Sequence, residues 1–204
     1  MKRLVCPLVV GLVLIASGTA RGGKFNRVLT PGDPAPVWTG LKGVDGRKHS
    51  LATLKDARAV LLVFLSNRCP MTRAYEQRLI ALNRKFSARG MKMVAVSIGR
   101  SPTDRFEKMQ SRAKARKYNF PYLIDPSQQI GRRYGATCTP QVFLLDRRRK
   151  VAYMGAIDDN VDAKKVEYHY LRDALTAVLN GKTPEVGETL QRGCEIKYAG
   201  GEAR

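Results

Sequence analysis

The chain has 204 residues, of which 44% are hydrophobic and 26% are charged, and both fractions are ordinary for a globular protein. This composition, without any internal repeat, excludes a disordered, fibrous or repeat protein. The formal net charge of +20 favours acidic partners or anionic surfaces. Because the basic clusters lack interleaved aromatic residues and any nucleic-acid motif, we interpret them as a solvated surface and predict no nucleic-acid partner.

The N-terminus has the pattern of a targeting segment. Lys2 and Arg3 precede an apolar run at residues 4–16, and small residues follow at 17–20. The run is short for a membrane span, so the pattern predicts a signal peptide at residues 1–20, with an uncleaved anchor as the alternative. We therefore expect an exported protein, periplasmic or extracellular, that meets the membrane only through this segment before cleavage.

The elements that follow alternate between strands and helices. After a leader at residues 21–30 and a turn-rich segment, the pattern predicts two short strands, 37–41 and 48–51, joined by a hairpin turn. The apolar run at 59–65 is typical of a strand covered on both faces. It leads into a helix whose apolar positions recur at helical spacing: Tyr75, Leu79, Leu82 and Phe86.

The second half continues the alternation. The predicted elements are, in chain order, a strand at 93–98, a basic helix at 102–118, a strand at 122–124, a short helix at 128–134, an antiparallel hairpin of 142–145 and 151–154, and a last helix at about 165–179. This order indicates an α/β fold with a central mixed β-sheet, helices on both faces and extra N-terminal strands. We assign the domain to residues 31–180 and an irregular C-terminal tail to 181–204.

Cys69 is the main candidate for a reactive residue because it lies where a buried strand leads into a helix. Unpaired N–H groups at a helix start favour an anion, and Pro70 suits the first turn. Arg68 and Arg73 add positive charge. These features predict a lowered pKa and hence a nucleophilic thiolate at Cys69. An inert, buried cysteine is the alternative, so the enzymatic interpretation requires a sulfur that solvent can reach.

Three segments recur in one known family: Pro31-Gly32-Asp33-Pro34-Ala35-Pro36, Cys69-Pro70 after the core strand, and Tyr134-Gly135-Ala136-Thr137-Cys138-Thr139-Pro140 before the strand at 141–146. Together they resemble the AhpC/TSA and redoxin peroxiredoxin-like branch of the thioredoxin superfamily, over roughly residues 30–180. The resemblance implies a thioredoxin-like fold and a thiol oxidoreductase without a bound organic cofactor. It also implies a cis proline at Thr139-Pro140, in a loop that faces the active cysteine.

The sequence departs from the family pattern at two places. Ser66 stands where this subgroup often has the first cysteine of Cys-x-x-Cys, so the motif cannot form its own disulfide. Ser66 does match the Thr/Ser position of the peroxiredoxin motif, which implies a hydrogen bond from its hydroxyl to the Cys69 thiolate. The proline position of that motif is Leu62, and the position of the family's distant arginine is Pro140.

The working mechanism assigns a role to each remaining cysteine. The Cys69 thiolate, tuned by Ser66 and Arg68, attacks a peroxide or a protein disulfide. Cys138 is the first candidate for the resolving thiol because it stands two residues before Pro140, and Cys194 in the tail is the second. Sequence leaves their pairing open, and an external thiol completes the cycle.

Two other functions stay open at this point. One is thiol–disulfide exchange without peroxidase activity, and the other is a non-catalytic binding module that holds an acidic partner on its basic surface. A metal site is not expected, because His49 and His169 have no ligand spacing around them.

Overall fold

The computed structural model describes residues 22–201, so the predicted signal peptide lies outside the described residues. The strands are β1 (Leu41–Gly43), β2 (Lys48–His49), β3 (Ala59–Leu65), β4 (Met91–Ser97), β5 (Tyr122–Ile124), β6 (Cys138–Thr139), β7 (Gln141–Leu145), β8 (Val151–Gly155) and β9 (Cys194–Glu195). The helices are α1 (Pro70–Ser87), α2 (Phe106–Arg116), α3 (Gln129–Tyr134) and α4 (Tyr170–Leu179). Among the described helices, none is long and apolar enough to cross a membrane.

Seven strands form one mixed sheet in the order β2-β1-β5-β4-β3-β7-β8. β3, β4 and β5 run parallel, whereas β7 is antiparallel to both β3 and β8. The carboxyl ends of β3 and β4 and the amino end of β7 therefore share one edge of the sheet. In open α/β sheets, this is the edge at which sites form.

Both faces of β3 are buried, as its continuous apolar sequence predicts. One face packs against helices α1, α2 and α4 through residues that include Leu79, Met109 and Leu175. The other packs against α3 and the N-terminal segment, where Phe64, Tyr134 and Phe143 form an edge-to-face aromatic cluster. The predicted α/β architecture, with helices on both faces and extra N-terminal strands, is confirmed.

Several predicted boundaries are wrong by a few residues. The first hairpin strands are β1 and β2 rather than 37–41 and 48–51. The basic helix begins at Phe106, because Pro102–Asp104 forms a separate 3-10 turn. The last helix begins at Tyr170, since a 3-10 turn at Ala163–Lys165 is followed by extended backbone at Val166. Short polar turns beside a helix have the same composition as its first turn, so sequence does not separate the two.

The C-terminal tail was predicted to be irregular, but it is bound to the domain along much of its length. The Glu188 carboxylate accepts three backbone N–H groups of the leader, from Lys24, Phe25 and Asn26, at 2.6–2.8 Å. β9 pairs antiparallel with β6. Farther on, the Tyr198 hydroxyl donates to the Ala136 carbonyl at 2.7 Å. The tail therefore packs against the leader, β6 and the segment that follows α3.

Candidate active site

Cys69 occupies the N-cap of α1, directly after the carboxyl end of β3. The backbone N–H of Thr72 donates to its sulfur at 3.4 Å, and Pro70 fills the first helical position. This is the helix-start geometry that the sequence predicts. Cys69 is nevertheless only 1% exposed, so the expectation of a sulfur open to solvent is wrong, although Cys69 does line the cavity described below.

The group that covers Cys69 is another cysteine. The Sγ atoms of Cys69 and Cys194 lie 2.6 Å apart, and all three cysteines of the described chain are free thiols. A disulfide bond is about 2.05 Å long, so these sulfurs are close to bonding distance. The pairing of β6 with β9 produces this contact, because Thr139 stands opposite Cys194.

Cys138 was ranked ahead of Cys194 as partner of Cys69, and the contacts reverse that order. In the strand register Cys138 stands opposite Glu195, and successive strand side chains point to opposite faces. Thr139 is the residue opposite Cys194, and its carbonyl is 2.9 Å from the Cys69 sulfur. Cys138 is buried, and burial together with the nearby Cys69 and Cys194 sulfurs raises its pKa to about 12.

The two sulfurs in contact differ in acidity. Burial opposes ionisation of Cys69, but hydrogen bonds from the Cys194 and Thr139 side chains and from the Thr72 N–H lower its pKa. Burial and the adjacent Cys69 sulfur raise the pKa of Cys194. In the reduced pair, the negative charge therefore belongs on Cys69 and the proton on Cys194.

The neighbours of Cys69 act differently from what the sequence suggested. The Ser66 hydroxyl donates to Asp104 at 2.9 Å rather than to the Cys69 sulfur. The Arg73 guanidinium donates to the Asn67 carbonyl, and Arg68 is exposed at the rim. Hydrogen bonds, rather than the two arginines, are what lower the Cys69 pKa. The Thr139-Pro140 peptide bond is cis, as predicted.

Asp104 is a site residue that sequence reasoning missed. It is 2% exposed and lies beneath the loop before Cys69, where one carboxylate oxygen accepts the Ser66 hydroxyl and the other accepts the Asn67 N–H at 2.6 Å. Gly99 is required beside it, because a Cβ there would overlap the carboxylate. The available signal was topological: Asp104 follows β4, whose carboxyl end lies beside that of β3.

A cavity of about 640 Å³ opens beside the two sulfurs. It is lined by Cys69, Thr139, the loop that follows β4, and residues 194–197 of the tail. The described residues contain no group of three or more His, Cys, Asp or Glu side chains placed to hold a metal ion. The site is therefore a thiol pair beside a small cavity.

Comparisons with known proteins agree with this arrangement. The chain is 35% identical to a solved hypothetical protein of Sinorhizobium meliloti 1021, with a TM-score of 0.80 over 86% of this chain and 98% of that one. It is 30% identical to an uncharacterized conserved protein of Geobacillus kaustophilus, with a TM-score of 0.79 over 84% and 94% of the two chains.

A curated relative carries a named activity. The chain is 28% identical over 154 residues to the thiol-disulfide oxidoreductase ResA of Geobacillus thermodenitrificans. The aligned residues cover 74% of this chain and 85% of that protein. The sheet topology and solved thioredoxin-family proteins of lower identity confirm the predicted thioredoxin-like fold. Because residues 31–154 match the AhpC/TSA family, which is more than half of the chain, this protein belongs to the AhpC/TSA family.

Proposed function

We propose that this protein is a thiol–disulfide oxidoreductase in which Cys69 is the attacking thiolate and Cys194 the resolving thiol. The contact of 2.6 Å between their sulfurs is the observation that supports it most strongly. The difference in acidity supports the same assignment, since the thiolate is the nucleophile and Cys69 is the sulfur with the lowered pKa. The curated relative, a thiol-disulfide oxidoreductase by name, is consistent with it.

The reaction with a disulfide RSSR has two steps. The Cys69 thiolate attacks one sulfur, which forms a mixed disulfide and releases RS⁻. Cys194 then loses its proton to RS⁻ or to water and attacks the Cys69 sulfur, which releases the second RS⁻. The protein loses two electrons and the substrate gains them. An external dithiol restores the reduced pair by the reverse exchange.

Peroxide reduction is a second candidate, favoured by the near-complete cover over Cys69, which suits a small oxidant. The Cys69 thiolate attacks one oxygen of ROOH, becomes a sulfenic acid and releases RO⁻, which takes up a proton. Cys194 condenses with the sulfenic acid, and water leaves as the disulfide forms. Ser66 does not assist this step as the family pattern implied, because its hydroxyl hydrogen goes to Asp104.

Stopped-flow oxidation of the reduced protein separates the candidates. Rapid, Cys69-dependent exchange with a disulfide and slow reaction with hydrogen peroxide are expected, with mass spectrometry locating a Cys69–Cys194 disulfide in the product. Faster reaction with peroxide than with disulfides would move the assignment to a peroxidase. If the unchanged protein reacts with both oxidants no faster than its Cys69→Ser variant, the remaining interpretation is a non-catalytic thioredoxin-fold module with a basic surface.

We also propose that the protein acts outside the cytosol. The signal-peptide pattern at residues 1–20 supports this location, and disulfides persist in such compartments. An external thiol reductant is then required to complete each cycle. Fractionation of cells that express the full chain, with N-terminal sequencing of the product, tests the location.

A further inference from the structure

The rim of the cavity beside Cys69 carries three exposed cations. Arg68, Arg100 and Lys197 line it from three different segments: the loop before α1, the loop after β4 and the tail. Within residues 22–201, none of the three forms an ion pair with a carboxylate. They therefore contribute a positive field at the mouth of the cavity.

Two carboxyl groups also line the cavity, and they weaken this field only in part. Asp104 is buried and its oxygens already accept the Ser66 hydroxyl and the Asn67 N–H. Glu195 is exposed on β9, where it also borders a second, smaller cavity. Counting Glu195, the exposed residues of the rim are three basic and one acidic.

The size and walls of the cavity suit a small organic molecule. Its volume of about 640 Å³ is within the range of roughly 300–1,000 Å³ typical of small-molecule sites. Apolar side chains supply much of the wall: Pro70, Ile98, Pro102 and Ile196. Hydrogen peroxide needs neither this volume nor this apolar surface.

A protein substrate has less room. An extended peptide that approached the Cys69 sulfur would pair with the backbone of Thr139, the residue whose carbonyl touches that sulfur. That backbone edge is already paired with Cys194 in β9. The tail is in turn fixed beyond the site by the Gln128 amide, which donates to the Lys197 carbonyl and accepts the Ala199 N–H.

We propose that the cavity binds a low-molecular-mass disulfide that carries carboxylate groups, and that this is the oxidant that Cys69 reduces. The inference rests on the proposed function and specifies its substrate class. The carboxylates lie among Arg68, Arg100 and Lys197. This placement brings the S–S bond beside the Cys69 sulfur, which lines the same cavity. Cys69 attacks, one anionic thiolate leaves, and Cys194 displaces the second as the protein disulfide forms.

The test compares three disulfides of similar size and different charge: 3,3′-dithiodipropionate (anionic), 2-hydroxyethyl disulfide (neutral) and cystamine (cationic). Formation of the Cys69–Cys194 disulfide is followed by rapid quench and mass spectrometry, and each rate is divided by the rate of the same compound with free 2-mercaptoethanol. At low ionic strength the anionic compound should react about tenfold faster than the neutral one, and the cationic compound slowest. Added salt should reduce these ratios.

A matched pair of double variants locates the effect. Arg100→Gln with Lys197→Gln should remove most of the preference for the anionic compound over the neutral one. Arg147→Gln with Arg148→Gln removes the same charge at the β7–β8 turn, at the opposite end of the sheet, and should leave the preference intact.

The possible failures are distinct. Equal normalised rates for the three compounds, or equal loss of preference in both double variants, would overturn the anionic site while Cys69–Cys194 chemistry stands. If none of the three compounds forms that disulfide but a protein disulfide does, the small-molecule substrate is overturned and the proposed function stands; if a protein disulfide also fails, the proposed function itself is overturned.

Discussion

The two strands of the small sheet each carry a cysteine, and the two cysteines have opposite environments. On β6, Cys138 is buried and its pKa is raised to about 12, and its sulfur forms no hydrogen bond with that of Cys69. On β9, Cys194 is partly exposed and its sulfur lies 2.6 Å from that of Cys69. Strand register, rather than nearness along the chain to the cis proline, therefore determines which thiol contacts Cys69.

Gly193 shows how closely β9 approaches β6. A Cβ at residue 193 would overlap the carbonyl of Thr139 and come within 3.2 Å of the Cys138 sulfur. The close approach of the tail to β6 therefore requires glycine at residue 193, directly before β9.

The largest expected effect is the difference in turnover between variants of the two cysteines, Cys194 on β9 and Cys138 on β6. Cys194→Ser should slow formation of the protein disulfide to background and reduce turnover by at least about 100-fold, because a tethered thiol acts at a very high effective concentration. Cys138→Ser should keep turnover within about twofold of the unchanged protein. Steady-state assays, with mass spectrometry of the trapped Cys69 adduct, measure both. Equal losses in the two variants would contradict the comparison.

A smaller effect is expected where the tail is anchored. Glu188→Ala leaves three leader N–H groups without their carboxylate, which should lower the free energy of unfolding by about 2–4 kcal/mol. It should also slow disulfide formation about tenfold, since Cys194 is then held less often beside Cys69. Glu185→Ala is the matched control, because the Glu185 side chain is exposed and forms no hydrogen bond or ion pair with any described residue. Chemical denaturation and rapid quench measure the two quantities.

The smallest effect concerns acidity. Because the Cys69 pKa is lowered from its ordinary 9.0, the rate of attack should rise with pH, with its inflection below pH 9.0, and then level off. Cys194→Ser keeps a hydrogen-bond donor beside the sulfur, whereas Cys194→Ala removes it. The inflection should therefore lie at higher pH in the alanine variant than in the serine variant. Ultraviolet absorbance of the thiolate gives both values, and identical titrations would show that Cys194 does not tune Cys69.

Much of the fold follows from local patterns. The apolar run of β3, the helical spacing in α1 and the polar turn between β7 and β8 each fix an element without long-range information. Cys69 could be identified as well, since a helix-start cysteine followed by proline is a local feature. These are the parts of the molecule that neighbouring residues determine.

The rest of the site is determined by contacts between distant segments. Asp104 is 38 residues from Ser66, and no sequence pattern links them. Cys194 reaches Cys69 through the pairing of two-residue strands, which are too short to leave a periodic signal. The short distance from Cys138 to Pro140 was a misleading guide, because one step along a strand reverses the side-chain direction.

Oxidation at this site also has a thermodynamic consequence for the whole molecule. A bond between Cys69 and Cys194 joins residues 125 positions apart, which in the chain-entropy description destabilises the unfolded state by on the order of 4–5 kcal/mol. By a thermodynamic cycle, oxidation of the pair is more favourable in the native protein than in the unfolded chain by the same amount. Oxidation and the attachment of residues 188–199 to the domain are therefore linked equilibria, so the stability of that attachment influences how strong a reductant the protein needs.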